Sequence, residues 1–271
     1  MSDRNTSGRG ARLLAIGDSW QYTGLTKSLA TELTGLQHQV FADDEDAFCA
    51  NGKTLKTLAC HDLEGLANYV ANLEGSARAP HAVLLSGGGN DIVQRNVKDY
   101  RATRLFRLLR NGSDASRRPP DADLVHDFID VELKGYYRAV LAALTAVTRV
   151  PVLVHGYDHP IPDGRKLSIP FGPGPWLKPV FDAAGTDPDI GVRREIMKIL
   201  IDRLNHMVAQ VAQEFAGRVH HLGFAGILER QPGFAHDYRL YWANELHATA
   251  KGYAVLANVV HRKLAELGIM Q

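Results

Sequence analysis

The feature that most limits the fold is an alternation: five short apolar runs, each separated from the next by a stretch of helical periodicity. The runs are Arg12–Ile16, Gln39–Ala42, Ala82–Ser86, Val150–His155 and Val219–Leu222. Several are apolar on both faces, which suits strands covered by helices on each side of a parallel sheet. The helical patterns are Gly24–Leu33, Leu63–Leu73, Asp123–Val147, Gly191–Phe215 and Thr249–Leu267, where apolar residues recur at the helical period. Strands and helices in this order predict an α/β fold with a doubly wound parallel sheet and right-handed crossovers.

Two segments break the rhythm. Asp99–Asp121 is charged and ends in Pro119-Pro120, and His159–Pro188 carries Pro160, Pro162, Pro170, Pro173, Pro175 and Pro179. Long connections without regular structure are uncommon inside a compact fold and are usually functional. Both are expected as insertions over the C-terminal edge of the sheet, where α/β ligand sites lie.

Composition narrows the function classes. With 45% hydrophobic and 23% charged residues, the chain of 271 residues is neither disordered nor collagen-like. Its 31 basic and 30 acidic residues leave a net charge of +1, so no nucleic-acid or anionic-membrane partner is expected. A local basic stretch (Arg101, Arg104, Arg107, Arg110, Arg117, Arg118) is read as a solvated face. The two cysteines, Cys49 and Cys60, cannot build a disulfide scaffold and lack zinc-site spacing, so no metal is expected. No run reaches the ~20 apolar residues of a membrane span. The polar stretch Met1–Arg12 has no apolar core of a signal peptide, and a cytoplasmic location is the expectation. Nothing in the sequence fixes an oligomeric state.

Three blocks carry chemistry. In the first, the run Leu13-Leu14-Ala15-Ile16 leads directly into Gly17-Asp18-Ser19-Trp20. Gly17 permits a tight turn, and Ser19 then falls at a strand's C-terminal end, where outward backbone N–H groups favour developing negative charge. A plain helix N-cap is the alternative. In the second, Val83-Leu84-Leu85-Ser86 ends in Gly87-Gly88-Gly89-Asn90-Asp91. The Asn90 amide is a suitable oxyanion donor there. The run matches neither the P-loop nor the dinucleotide-binding pattern. The third block is Trp242-Ala243-Asn244-Glu245-Leu246-His247, just before the last helix. Histidine is the side chain best suited to take a proton near neutral pH.

In order and spacing these blocks resemble the SGNH hydrolase superfamily, the GDSL-type esterases and lipases, across nearly the whole chain. Ser19 matches the nucleophile, Gly52 in Ala50-Asn51-Gly52-Lys53-Thr54 the glycine of the second family block, Asn90 the asparagine of the third and His247 the base. The resemblance implies one domain over residues 1–271 with a flavodoxin-like, three-layer α/β/α fold and a five-stranded parallel sheet. It also implies a serine ester hydrolase acting on a small-molecule ester without metal or organic cofactor, its oxyanion hole formed by the Ser19 and Gly52 N–H groups and the Asn90 amide. The Gly-x-Ser-x-Gly elbow of the α/β-hydrolases is missing. An acyltransferase with the same nucleophile and a non-catalytic binding protein on the same fold are the alternatives.

One position departs from the family. Where the family has Asp three residues before the histidine, this chain has Asn244. An amide can accept the imidazole Nδ1–H bond but supplies no negative charge. Asn244 is therefore the expected neutral orienter. A Ser–His dyad, or a carboxylate from Asp158, Asp163 or the adjacent Glu245, is the alternative. Asp18, Trp20, Tyr157, Asp158 and Trp176 are expected to line the substrate pocket, with Phe171 beside Trp176 as apolar wall. Trp20 and Trp242 flank the nucleophile and base in sequence, and either shape the entrance or close the core.

Overall fold

The computed structural model describes residues 10–23, 26–42, 48–93, 99–109, 120–168 and 172–270. Phe171, Arg110, Arg117 and Arg118 lie outside them. Five strands, β1 (Arg12–Ile16), β2 (Gln39–Phe41), β3 (Ala82–Ser86), β4 (Val152–His155) and β5 (Val219–Leu222), form one parallel sheet in the order β2-β1-β3-β4-β5. The predicted fourth strand starts two residues late, at Val152, because Pro151 has no N–H for the ladder. The Pro151 carbonyl still accepts from Val83 N–H.

The helices are α1 (Leu29–Gly35), α2 (Leu55–Cys60), α3 (Leu63–Leu73), α4 (Gly89–Val93), α5 (Arg104–Leu109), α6 (Ala122–Val125), α7 (Lys134–Val147), α8 (Lys178–Ala183), α9 (Ile190–Glu214) and α10 (Ala250–Glu266). Chain order reverses at β1, so right-handed crossovers send α1 to one face of the sheet and the later crossover helices to the other. α1 packs against α10 on the first face, and α7 packs against α2, α3 and α9 on the second. The fold is three-layered, α/β/α. β3, in the centre, is buried at all five positions, as both-sided cover requires. No helix among the described residues is long and apolar enough to cross a membrane.

Helix boundaries correct the sequence reading in several places. The helix expected from Gly24 begins at Leu29, because extended Ser28 caps it, its hydroxyl accepting from Thr31 N–H. The pattern Asp123–Val147 is helical throughout but passes through a π-helical stretch, His126–Leu133, between α6 and α7. The two insertions are not structureless: they contain α5 and α8. Arg104 in the basic stretch pairs with Glu132 at 3.4 Å and lies over the Phe128 ring.

The order β2-β1-β3 makes the gap between β1 and β3 the topological switch point, where a crevice opens beyond the strand ends. Ser19 follows β1 and Asn90 follows β3, so topology brings both to that crevice. The Tyr157 backbone after β4 is fixed by α9: its N–H donates to Asn205 Oδ1 at 2.9 Å and its carbonyl accepts from Asn205 Nδ2 at 2.8 Å. Replacing Asn205 with Leu leaves both buried backbone groups unpaired. The expected cost is about 2–4 kcal/mol of stability, read from urea unfolding.

Candidate active site

The turn after β1 depends on glycine. Gly17 has φ +132°, and a Cβ there would lie 2.4 Å from the Ser86 carbonyl oxygen of the neighbouring strand. Gly17 also exchanges backbone hydrogen bonds with Phe48 and Ala50, at 2.8 and 3.1 Å, which ties β1 to the loop that carries Gly52. The chain then turns tightly, Gln21 N–H donating to the Asp18 carbonyl at 3.0 Å. Ser19 is left 9% exposed at the edge of a cavity of about 480 Å³.

The segment before α10 presents His247. Trp242 and Ala248 form an antiparallel bridge, and Ala243 N–H donates to the His247 carbonyl at 2.9 Å. Inside this loop Asn244 Oδ1 accepts from Leu246 N–H and His247 N–H, both at 2.9 Å, and lies 3.1 Å from His247 Nδ1. Two backbone donors identify that atom as the amide oxygen, so Nδ1 must carry the imidazole proton. Nε2 is then an acceptor, and it sits 2.8 Å from Ser19 Oγ. Burial lowers the His247 pKa from 6.5 to about 4, and the neutral amide beside it does nothing to raise it.

Gly52 and Asn90 line the same cavity. Asn90 Nδ2 donates one hydrogen to the Lys53 carbonyl at 3.1 Å, leaving its second free of that bond. Asp91 secures the arrangement: its two oxygens accept from Leu55 N–H at 2.7 Å and Lys56 N–H at 3.0 Å, capping α2. The Gly52 loop and the Asn90 turn are thus fastened to each other twice.

No protein-family model matches the sequence, and no curated protein is similar to it. Solved structures do match. Phospholipase A1 from Streptomyces albidoflavus NA297 aligns over 94% of this chain and 99% of its own, with a TM-score of 0.52 at 16% identity. A possible lipase from Chitinophaga pinensis DSM 2588 aligns over 95% and 98%, with a TM-score of 0.51 at 13% identity. The chain shares the three-layer α/β/α fold of these two structures.

Asp18, Tyr157 and Asp158 border the cavity, as expected, but their polar groups are bonded within the protein. Asp18 is 2% exposed. Its Oδ1 accepts from Trp20 N–H at 3.1 Å and Ser86 Oγ at 3.0 Å, and its Oδ2 accepts from Tyr157 OH at 2.5 Å. Burial raises its carboxyl pKa against these bonds. Asp18 and Tyr157 therefore support the Ser19 turn from beneath. Asp158 accepts from His159, Gly226 and Leu228 N–H groups and fixes the chain after β5. That occupies it, and it does not reach His247. Asp163 is likewise engaged, by Arg165 and by Tyr238 OH.

Trp20 and Trp242 close the core, at 5% and 1% exposure. Trp20 still lines the cavity and links the Ser19 turn to the His247 loop, its Nε1 donating to the Leu246 carbonyl at 2.9 Å. Trp176 is placed as expected: it lines the cavity, and its ring meets the His247 imidazole edge-on with centroids 5.6 Å apart. Sequence reasoning missed the apolar lining from Val93, Leu167, Pro173, Met197 and Ile201, which come from α4, the proline-rich segment and α9. It also missed Asp91 and Glu245. Glu245 was weighed only as a partner for His247, but its carboxylate points away and accepts N–H groups from Gly164, Trp176, Leu177 and Lys178.

These surroundings fix a titration. Burial disfavours the imidazolium, so the His247 NMR titration is expected to have its midpoint at about 4. In Asn244→Asp a carboxylate beside Nδ1 favours the imidazolium, and the midpoint should move up. An unmoved midpoint means that residue 244 does not sense the ring's charge.

Proposed function

We propose that the protein is a serine ester hydrolase, with Ser19 as nucleophile and His247 as general base. The observation that carries this reading is the 2.8 Å contact between Ser19 Oγ and His247 Nε2, with the acceptor tautomer set by Asn244. The setting is an apolar-walled cavity beside Gly52 and Asn90. The fold shared with a phospholipase A1 and a possible lipase agrees with it.

The reaction divides into two acyl transfers. Ser19 Oγ attacks the ester carbonyl as His247 Nε2 takes its proton. The tetrahedral oxyanion is held by the Ser19 and Gly52 N–H groups and the Asn90 amide, one such donor being worth about 3 kcal/mol. His247 returns its proton to the leaving alcohol, and water, deprotonated by the same imidazole, then hydrolyses the acyl-enzyme. Asn244 keeps the ring oriented throughout. It offers the transient imidazolium no counter-charge, so the chain relies on orientation and the oxyanion hole.

The expected outcome is hydrolysis of p-nitrophenyl acetate and butyrate, with fluorophosphonate labelling at Ser19. Ser19→Ala and His247→Ala should each lose about 10³-fold or more in kcat, and Asn90→Ala about 10²-fold. The acid limb of kcat/KM should fall with an apparent pKa of about 4, that of His247. A folded wild type that neither labels nor turns over these esters would overturn the reading.

A further inference from the structure

The proline-rich segment between β4 and α8 contributes Leu167, Pro173 and Trp176 to the cavity wall, yet no strand pairs with it among the described residues. One buried side chain gathers it instead. Glu245 is 0% exposed. Its Oε1 accepts from Gly164 N–H at 3.0 Å and Lys178 N–H at 2.8 Å, and its Oε2 from Trp176 N–H at 2.5 Å and Leu177 N–H at 2.7 Å. Its own carbonyl accepts from Ile161 N–H at 3.2 Å. Both ends of the segment therefore converge on one residue, two positions before His247. A backbone N–H that loses such a partner in a buried setting is costly, so the segment's path depends on this carboxylate.

We propose that Glu245 is a positioning residue for acyl-chain specificity: it folds the segment 161–178 onto the His247 loop and so seats Trp176 as a wall of the acyl pocket. The argument is geometric. Trp176 is held at its backbone by Glu245 and meets His247 with its ring. Arg165 also ties the segment to this loop, donating to the Trp242 and Ala243 carbonyls, but of the two fastenings it is Glu245 that bonds the Trp176 backbone. An acyl group long enough to reach Trp176 should feel that wall, while an acetyl group, confined near Ser19, should not. The substrate class rests on the ester-hydrolase reading; the fastening of the segment does not.

The test compares p-nitrophenyl octanoate with p-nitrophenyl acetate in wild type, Glu245→Gln, Trp176→Ala and the double variant. Gln sets an amide NH₂ against two N–H donors, so at least two of the four bonds are lost. The ratio of kcat/KM, octanoate over acetate, should fall about tenfold or more in Glu245→Gln, chiefly through KM. Trp176→Ala should lower the same ratio, and the double variant should fall no further than Trp176→Ala alone. Trypsin should cut faster after Arg165 and Lys166 in Glu245→Gln than in wild type. Equal losses on both esters, an unchanged ratio in Trp176→Ala, or additive effects in the double variant would each overturn the proposal. If wild type hydrolyses neither ester, the ester-hydrolase reading fails. The trypsin comparison then decides by itself whether Glu245 holds the segment, and an unchanged cutting rate rejects it.

Discussion

Asn244 Oδ1 accepts three N–H groups: two from the backbone of its own loop and one from the imidazole of His247. The rest of the site depends on this arrangement. The backbone pair closes the loop and makes the side chain rigid, and the third bond fixes the ring's tautomer and orientation. Without the third, the imidazole could present either nitrogen to Ser19, and only the Nε2 acceptor form makes the hydroxyl a nucleophile. An amide oxygen can perform this orienting task, as it does in Cys-His-Asn sites. It differs in leaving the imidazolium uncompensated, in the same direction as the burial that lowers the His247 pKa.

The other half of the site is held by long-range fastenings around the switch point of the sheet. Gly17 lets β1 pass within backbone contact of Ser86, and the Ser86 hydroxyl bonds the Asp18 carboxylate. Asp91 caps α2 from the neighbouring turn. Buried carboxylates in such positions are stable only when donors surround them, and here backbone N–H groups do most of that work. Their common effect is to stop the three loops that bear Ser19, Gly52 and Asn90 from moving independently. The proposed oxyanion hole needs that rigidity, because its donors must be in place before charge develops.

The sequence made the sheet legible because both-sided burial writes a strand as an apolar run: β1 and β3 fall where the pattern puts them, and β5 does so although its central His220-His221 pair is only half-buried. The short helices were illegible for the same local reason. α4 begins inside the Gly87-Gly88-Gly89 run, which reads as a turn, and α2 owes part of its cap to Asp91, 36 residues away in sequence. In the site, the meeting of Ser19 with His247 and Asn244 could be foreseen from motif order. The orientation of the acids could not. Asp18 stands beside the nucleophile in sequence, and Asp158 in the loop that was expected to line the pocket. The donors that claim Asp158 come from Gly226 and Leu228, about seventy residues on. Hydrogen-bond partners at that separation leave no periodicity and no spacing to read.

Asn244 and Glu245 are best understood as a pair. Burial raises the Glu245 pKa, and its four side-chain contacts, all N–H donors, oppose that by favouring the ionised carboxylate. A second carboxylate at position 244 would stand on the adjacent residue, in the same buried loop, with both groups poorly screened. Like charges in such a place raise each other's pKa, and one of them would tend to hold a proton. A proton on Glu245 would turn an acceptor into a donor facing backbone N–H groups, and would loosen the segment that carries Trp176. With an amide at 244 the loop's buried negative charge stays on Glu245, where the proline-rich segment uses it, and the imidazole is oriented without charge. An amide at 244 keeps a second buried charge away from Glu245, and on the proposed reading that lets one short loop both orient His247 and fasten the segment that carries Trp176.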